Sequence, residues 1–414
     1  MSYLSFTAGP VLFQPLSQAT RDRCREIIAA FALQTISVAE TRELIGELGE
    51  DLAKLVLSSA SHQAKANEKL GDGVWWVTSK SLQQATPWQV AKLKASWFGE
   101  GLVYDLCCGI GGDAIHLSSD NDVVAVDTDD TVCTMVNENL LQHTDLKPKV
   151  VQGDATEQLI SADNWVHIDP DRRVGDKRSV NPDLYSPAWS EVTKILANLR
   201  GGIVKLAPAA TNAAIDRDDV HRVCISLAGT VREQSLLVGE TCKLFHTKAA
   251  TTHALTNASA VMVDREGYPT YYCPSVSMAE LSPIAFATKP VGAMVDPDAA
   301  IRSAGLTESF ADEFGLKTLG GPSGFLTGEV DLDGMQGLAI CERVIWQGSC
   351  DDRRLRKELR SRDCYPWRVK TRGVSHDPNQ LEKKLRDCGS QPCTLWIGRN
   401  GKRHYAALTT TAMD

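Results

Sequence analysis

No stretch of the 414 residues approaches the roughly 18–20 consecutive apolar positions that a membrane-spanning helix needs, which excludes a helical membrane protein. The first residues, Met1 to Phe6, lack the basic start and apolar stretch of a signal peptide, so the chain is expected to stay in the cytoplasm. Twelve cysteines run from Cys24 to Cys393 without one Cys-x-x-Cys pair or a histidine at zinc spacing. No structural metal is expected; in a reducing compartment such cysteines are small buried residues or free thiols. Internal repeats and low-complexity segments are absent as well, which excludes solenoids and disordered tails.

What is present is enough chain for two or three domains. The net charge of −8 is unevenly distributed. Between Asp351 and Arg403 stand 15 Lys and Arg against 7 Asp and Glu, a local net of +8 that leaves −16 for the rest. A basic block on an acidic body points to a polyanionic partner, although the run Arg353-Arg354-Leu355-Arg356-Lys357 reads equally well as a solvated helix face.

Residues 14–68 carry helical periodicity, with Thr41, Leu44, Ile45, Leu48, Leu52, Leu55 and Val56 on one apolar stripe. A further helix is expected over 88–97. From Gly101 the pattern changes to short apolar runs at 102–107, 123–127, 149–152, 165–169 and 203–207, alternating with helical stretches. That alternation predicts an α/β domain with a doubly covered parallel sheet. Strands at 222–226, 231–238 and 258–263 follow without long helices between them, so the sheet is expected to close with an antiparallel element. Proline and polar residues mark a boundary at 275–289. Beyond it, short helices at 298–305 and 308–314, strands at 367–370 and 394–397 and a helix at 378–386 predict a small α+β domain. The expected domains are thus a helical region over 1–98, an α/β domain over 99–275 and an α+β domain over 290–414.

The first strand of the α/β domain ends in Asp105-Leu106-Cys107-Cys108-Gly109-Ile110-Gly111-Gly112-Asp113. Glycines at such a turn let the backbone approach a ligand where a Cβ would collide. Asp127 closes the second strand, 22 residues after Asp105, where a carboxylate can accept both ribose hydroxyls. Asp154 and Ala155 follow the third strand, within reach of an adenine amino group. The glycine pattern departs from the dinucleotide fingerprint, and Asp105 and Asp113 would repel a pyrophosphate. Both suit an ammonium and a sulfonium, and S-adenosylmethionine carries both. Asp105, Cys107, Gly109, Gly111, Asp113, Asp127, Asp154 and Ala155 are therefore the expected cofactor-binding residues.

The fourth strand ends Ile168-Asp169-Pro170-Asp171-Arg172-Arg173, where a methyl acceptor would lie. Asp169 and Pro170 fit the Asp/Asn-Pro-Pro-aromatic tetrad of amino-group methyltransferases; Asp171 and Arg172 do not. Asp169 can accept a hydrogen bond from a nucleophile, and Asp171 can act as a base or else cap a helix or pair with Arg173. Lys205, at the next strand end, can neutralise a phosphate or pair with a carboxylate. Asp169, Pro170, Asp171 and Lys205 are the catalytic candidates, with Arg172 beside them for substrate. His116 and His167 are given no role.

These motifs, with Ser81-Leu82-Gln83-Gln84-Ala85-Thr86, Val204-Lys205-Leu206-Ala207-Pro208, the segment from Val295 to Leu306, Phe325-Leu326-Thr327-Gly328 and Val369-Lys370-Thr371-Arg372-Gly373-Val374, resemble bacterial class I methyltransferases with a C-terminal THUMP-like domain. The resemblance spans roughly residues 74–408. It implies a Rossmann-like sheet, S-adenosylmethionine as cofactor and, by analogy with RNA-binding THUMP domains, an RNA substrate gripped by Arg353, Arg354, Arg356, Lys370 and Arg372. The family pattern has Asp-Pro-Ala-Arg-Arg, so Asp171 here replaces a small residue. Two other readings stay open: a nucleic-acid binder that holds the cofactor without turnover, and a methyltransferase acting on protein or a small molecule.

Overall fold

The computed structural model describes residues 11–410 apart from 33, 146–148, 175–176, 212, 251–256, 276–280, 282 and 322. Met1 to Phe6 and part of the boundary expected at 275–289 therefore lie outside the described residues. The chain divides into two compact units, one of residues 1–227, 232–252 and 263–269, the other of 228–231, 253–262 and 270–414.

The first unit opens with strand β1 (Val11–Leu12) and helices α1 (Gln18–Phe31), α2 (Val38–Leu48), α3 (Glu50–Leu70), α4 (Ser79–Gln84) and α5 (Trp88–Ala95). The apolar stripe from Thr41 to Val56, continuous in sequence, is cut at Gly49. There the chain turns at φ +80°, and the Gly49 N–H closes the last turn of α2 on the Ile45 carbonyl. Side chains settle the helix starts: Ser37 and Glu40 form a reciprocal capping box on α2, and Thr78 and Ser81 one on α4. The helices are anchored to the sheet that follows. Glu138, fully buried, receives Arg21 of α1 at 2.7 Å, and Asn139 hydrogen-bonds the backbone of both Trp76 and Ile110.

Next come β2 (Leu102–Leu106), α6 (Gly112–Leu117), β3 (Asp122–Asp127), α7 (Asp130–His143), β4 (Lys149–Gln152) and β5 (Trp165–Ile168). A small hairpin, β6 (Arg173–Val174) and β7 (Lys177–Arg178), precedes α8 (Trp189–Leu196), β8 (Gly201–Leu206), β9 (Val220–Leu227), β10 (Thr230–Gly239) and α9 (Glu240–Lys248). Strands β11 (Ala258–Val263) and β12 (Pro269–Tyr272) follow. The order of the first eight sheet strands is β1-β4-β3-β2-β5-β8-β10-β9. Strands β4, β3, β2, β5 and β8 run parallel, while β1 and β10 pair antiparallel at the two flanks of that parallel block. From β2 the chain winds outward through β3 to β4, then returns to the other side through β5 and β8. The topological switch point therefore lies between the carboxyl ends of β2 and β5, where open parallel sheets bind ligands. All four residues of β5 and all six of β8 are buried, as expected for mostly apolar strands covered on both faces.

The second unit contains β13 (Ala293–Pro297), α10 (Ala299–Ser303), α11 (Thr307–Glu313), β14 (Lys317–Leu319), β15 (Phe325–Gly328), β16 (Ala339–Ser349), α12 (Asp352–Ser361), β17 (Cys364–Arg372), α13 (Pro378–Leu385), β18 (Gln391–Asn400) and β19 (Arg403–Thr410). Seven strands form one sheet in the order β14-β15-β13-β16-β19-β18-β17, with β17 and β18 parallel across the α13 connection. Alternation along β18 sends Leu395 and Ile397 to the face covered by Leu355, Leu359 and Leu385, and Trp396 to the other face with Phe325 and Tyr405. The α+β class agrees with the sequence. Strands β13, β14, β15, β16 and β19 had not been expected; β16 is mostly half-buried and lacks a clean period of two.

Candidate active site

Two strand ends meet at the switch point. The loop after β2 takes left-handed conformations at Cys107 (φ 58°), Gly109 (φ 54°) and Gly111 (φ 85°) before α6 begins. A Cβ at Gly111 would stand 2.8 Å from Val136 Cγ2, whereas one at Gly109 would project into open space. The loop is held from the next strand: the Gly109 N–H donates to Asp127 Oδ2 at 3.2 Å, and Asp129 N–H donates to Oδ1. Burial raises the Asp127 pKa, and these backbone bonds oppose it only in part. Asp154 is exposed, capping the turn after β4 by accepting from Thr156 N–H at 2.7 Å, with Ala155 buried behind it.

Beside this loop the Asp169 N–H donates to the Leu106 carbonyl, so the end of β5 is stitched to the end of β2. Lys205 follows Val204, the register partner of Ile168, and its Nζ lies 2.6 Å from Asp169 Oδ2. Asp169 Oδ1 meets no hydrogen-bond partner among the described residues. Asp171 is exposed and accepts from the Arg173 N–H at 3.1 Å and, at 3.5 Å, from Gln84 Nε2. Its carboxylate thus shapes a local turn into β6 through the Arg173 backbone, rather than the helix cap or side-chain pair that the sequence offered. Pro170 is buried and Arg172 half-buried.

Behind these ends runs a buried chain of charges that joins residues given no role by sequence to those that were. Asp105, fully buried, accepts from His167 Nδ1 at 2.7 Å. Lys94 Nζ lies 3.2 Å from His167 Nε2, 2.9 Å from Asp113 Oδ1 and 3.1 Å from Glu233 Oε1. An ammonium can only donate, so His167 accepts from Lys94 at Nε2 and donates to Asp105 from Nδ1. Thr86 Oγ1 donates to Asp113 Oδ2 at 2.6 Å and accepts from Lys205 Nζ at 2.9 Å, which returns the chain to Asp169.

The electrostatics of this chain are decided by burial against pairing. Burial pulls the Lys94 pKa down, but Asp113 and Glu233 outweigh it and hold the ammonium charged. Burial pushes Asp113 up, and the ammonium groups of Lys94 and Lys205 reverse that, keeping it far below the carboxylate range. Asp105 goes the other way, with burial dominant over His167. Four carboxylates, Asp105, Asp113, Asp169 and Glu233, thus face two lysines, a deficit of positive charge at the switch point.

The residues fit S-adenosylmethionine: the loop at Gly109 leaves open space, Asp127 closes the adjacent strand, and the buried charge favours an approaching cation. The sequence reading had missed Lys94, Thr86 and His167. Lys94 carried a signal, since it sits four residues after Val90 on the buried face of α5. His167 interrupts an otherwise apolar strand.

Of the basic candidates in the second unit, Arg353 and Arg354 are exposed and meet no carboxylate among the described residues, while Arg356 pairs with Asp352 within α12. Lys370 and Arg372 both pair with the buried Asp296, which also holds Arg302.

Comparison with known proteins adds to this geometry. Residues 343–411 match the THUMP domain-like family. Over 377 residues the chain is 27% identical to an uncharacterized S-adenosylmethionine-dependent methyltransferase of Mycobacterium tuberculosis, found alike in strains CDC 1551 and H37Rv, covering 87% of this chain and 96% of that protein. A crystal structure of a putative methyltransferase from Porphyromonas gingivalis W83 superposes with a TM-score of 0.71 at 16% identity, over 96% of this chain and all of that one. The Rossmann-like sheet is that of class I methyltransferases, and by its relatives the chain is an S-adenosylmethionine-dependent methyltransferase whose C-terminal residues 343–411 are THUMP-like.

Proposed function

We propose that this methyltransferase acts on RNA, with Asp169 and Lys205 at the reacting centre. The observation that carries the reading is the Lys205–Asp169 pair at the switch point, in a chain that also bears a THUMP-like domain. Bound S-adenosylmethionine supplies an electrophilic methyl on a sulfonium; the chain's own residues must bind it and present a nucleophile. Asp127 and the backbone turn through Gly109 and Gly111 would hold the cofactor, with Asp154 and Ala155 beside it. Asp105 and Asp113, being buried, would act through the field of the charge chain.

Lys205 occupies Asp169 Oδ2 and orients the carboxylate. Oδ1 remains to accept a hydrogen bond from the N–H or O–H of the acceptor atom and to draw off its proton as the methyl arrives. Pro170 would wall the acceptor pocket and Arg172 would meet the substrate's charge. A base within a helix would have to be flipped out to reach this site. Arg353 and Arg354 are available for phosphate contacts, which would make binding depend on salt. An RNA substrate implies action in the cytoplasm.

The test is transfer of labelled methyl from S-adenosylmethionine into total RNA from cells lacking the gene, with wild type beside Asp169→Ala. Nuclease-sensitive label that disappears in the variant is the expected result. Cofactor binding without label in RNA would overturn the RNA substrate and direct the search to proteins and small molecules.

A further inference from the structure

The second unit contains a charge cluster that the methyl-transfer site does not use. Asp296, at the end of β13 and 8% exposed, accepts from Arg302 at 2.7 Å, from Lys370 at 2.6 Å and from Arg372 at 3.0 Å. Among the described residues no second carboxylate pairs with any of these three cations. A single carboxylate needs one cation as a staple; three leave an excess of two positive charges in a half-enclosed place. Burial raises the Asp296 pKa, but Lys370, Arg302 and Arg372 together bring it below the ordinary value, so the carboxylate stays ionised as their common hub.

A second, independent observation points to the same spot. Tyr405, 7% exposed, has a hydroxyl with no hydrogen-bond partner among the described residues. Its ring crosses Gly398, where a Cβ would stand 2.2 Å from the hydroxyl oxygen, and Gly398 is the register partner of Arg372. Burial, then Asp296, raises the phenol's pKa, so the hydroxyl keeps its proton and can donate. A buried donor left unmatched carries a desolvation cost that a ligand oxygen would relieve.

The surroundings suit an anion. Lys370 and Arg372 lie at the carboxyl end of β17, beside the carboxyl end of the parallel β18, and Gly373 (φ 65°) turns the chain away at once. Arg372 is 35% and Lys370 18% exposed, so the cluster is reachable from solvent. Asp296 and the Pro297 and Gly324 carbonyls take Nε and Nη2 of Arg302, which leaves its Nη1, the Arg372 guanidinium and the Lys370 ammonium to meet the tetrahedral oxygens of a phosphate.

We propose that Arg302, Lys370, Arg372 and the Tyr405 hydroxyl, gathered on Asp296, form a phosphate-binding site that takes a phosphate group of the RNA substrate. The assignment of the phosphate to RNA rests on the reading above; the site itself does not.

The test uses the full chain, with inorganic phosphate and then a fluorescent single-stranded oligoribonucleotide as probes, against Lys370→Gln/Arg372→Gln and Tyr405→Phe. Inorganic phosphate should raise the thermal midpoint of wild type and have little effect on the double variant. Oligonucleotide affinity should fall about tenfold or more in the double variant, with the salt dependence shallower by about 0.7 per lost contact. Tyr405→Phe should weaken phosphate binding several-fold without lowering the thermal midpoint, because the lost hydroxyl has no partner to strand. A 5′-phosphorylated oligonucleotide that binds more tightly than its unphosphorylated twin identifies a terminal phosphate; equal binding identifies the backbone. If phosphate stabilises wild type and both variants equally, the site is overturned, whatever RNA does. If phosphate binds as expected but no oligonucleotide does, the site stands and the RNA reading fails.

Discussion

Lys205 Nζ and Asp169 Oδ2 lie 2.6 Å apart across the ends of two adjacent parallel strands, and the Asp169 N–H is tied to the Leu106 carbonyl of a third. The carboxylate is therefore fixed in both position and orientation before any substrate arrives. In the proposed mechanism, Asp169→Asn should lower the rate of methyl transfer by about 10²-fold or more, the range for loss of a positioned proton acceptor. Cofactor affinity should change little. A rate within a few-fold of wild type in single-turnover assays would remove Asp169 from the chemistry.

Among the described residues, Lys94 is the sole lysine or arginine within ion-pair distance of Asp113 and Glu233. Lys94→Met would strand both carboxylates, and removing one partner of a buried pair typically costs about 3–5 kcal/mol. Urea unfolding should register a loss of that size. A loss under about 1 kcal/mol would mean that the cluster is far better hydrated than its burial implies.

Asp127 holds the Gly109 turn and is the proposed ribose acceptor. Asp127→Ala should weaken S-adenosylmethionine binding by about 10- to 100-fold, as expected for hydrogen bonds to a charged group worth about 1.5–3 kcal/mol. Calorimetric titration measures this directly, and unchanged affinity would place the ribose elsewhere.

His143 stacks on Trp75 with ring centroids 3.8 Å apart, and burial, only partly offset by the Val74 backbone, brings its pKa from 6.5 down to about 4. The native state thus holds the ring neutral, while the unfolded chain takes up a proton below about pH 6.5. Its contribution to stability is complete above pH 6.5 and is lost as the pH falls from there towards 4. For a partly exposed ring this is on the order of 1–2 kcal/mol. The thermal midpoint should fall between pH 7 and 5, and His143→Gln should flatten that slope; an equally steep slope in the variant would assign it to another group.

Much of the fold was legible because its signals are local. Short, mostly apolar runs marked the buried parallel strands, and β4 and β11 have the bounds that periodicity assigns. The glycine turn after β2 announced itself because only glycine enters the left-handed region without strain at Gly109 and Gly111. Residues such as Lys94, Thr86, Glu233 and Asp296 were less visible. Each is an ordinary polar residue in its own segment, and its role arises from partners in other segments, as far as 139 positions away for Lys94 and Glu233.

The sequence by itself determined the α/β class, the glycine loop after β2 and the acidic strand ends, since backbone conformation and burial are set by neighbouring residues. Only the tertiary structure decided which charges meet. It turned Asp105 and Asp113 inward to His167, Lys94 and Thr86, joined Lys205 to Asp169, and gathered Arg302, Lys370 and Arg372 on one buried carboxylate. Ion pairing depends on distances of a few ångströms and on the water excluded around them, and neither is written in any one stretch of chain.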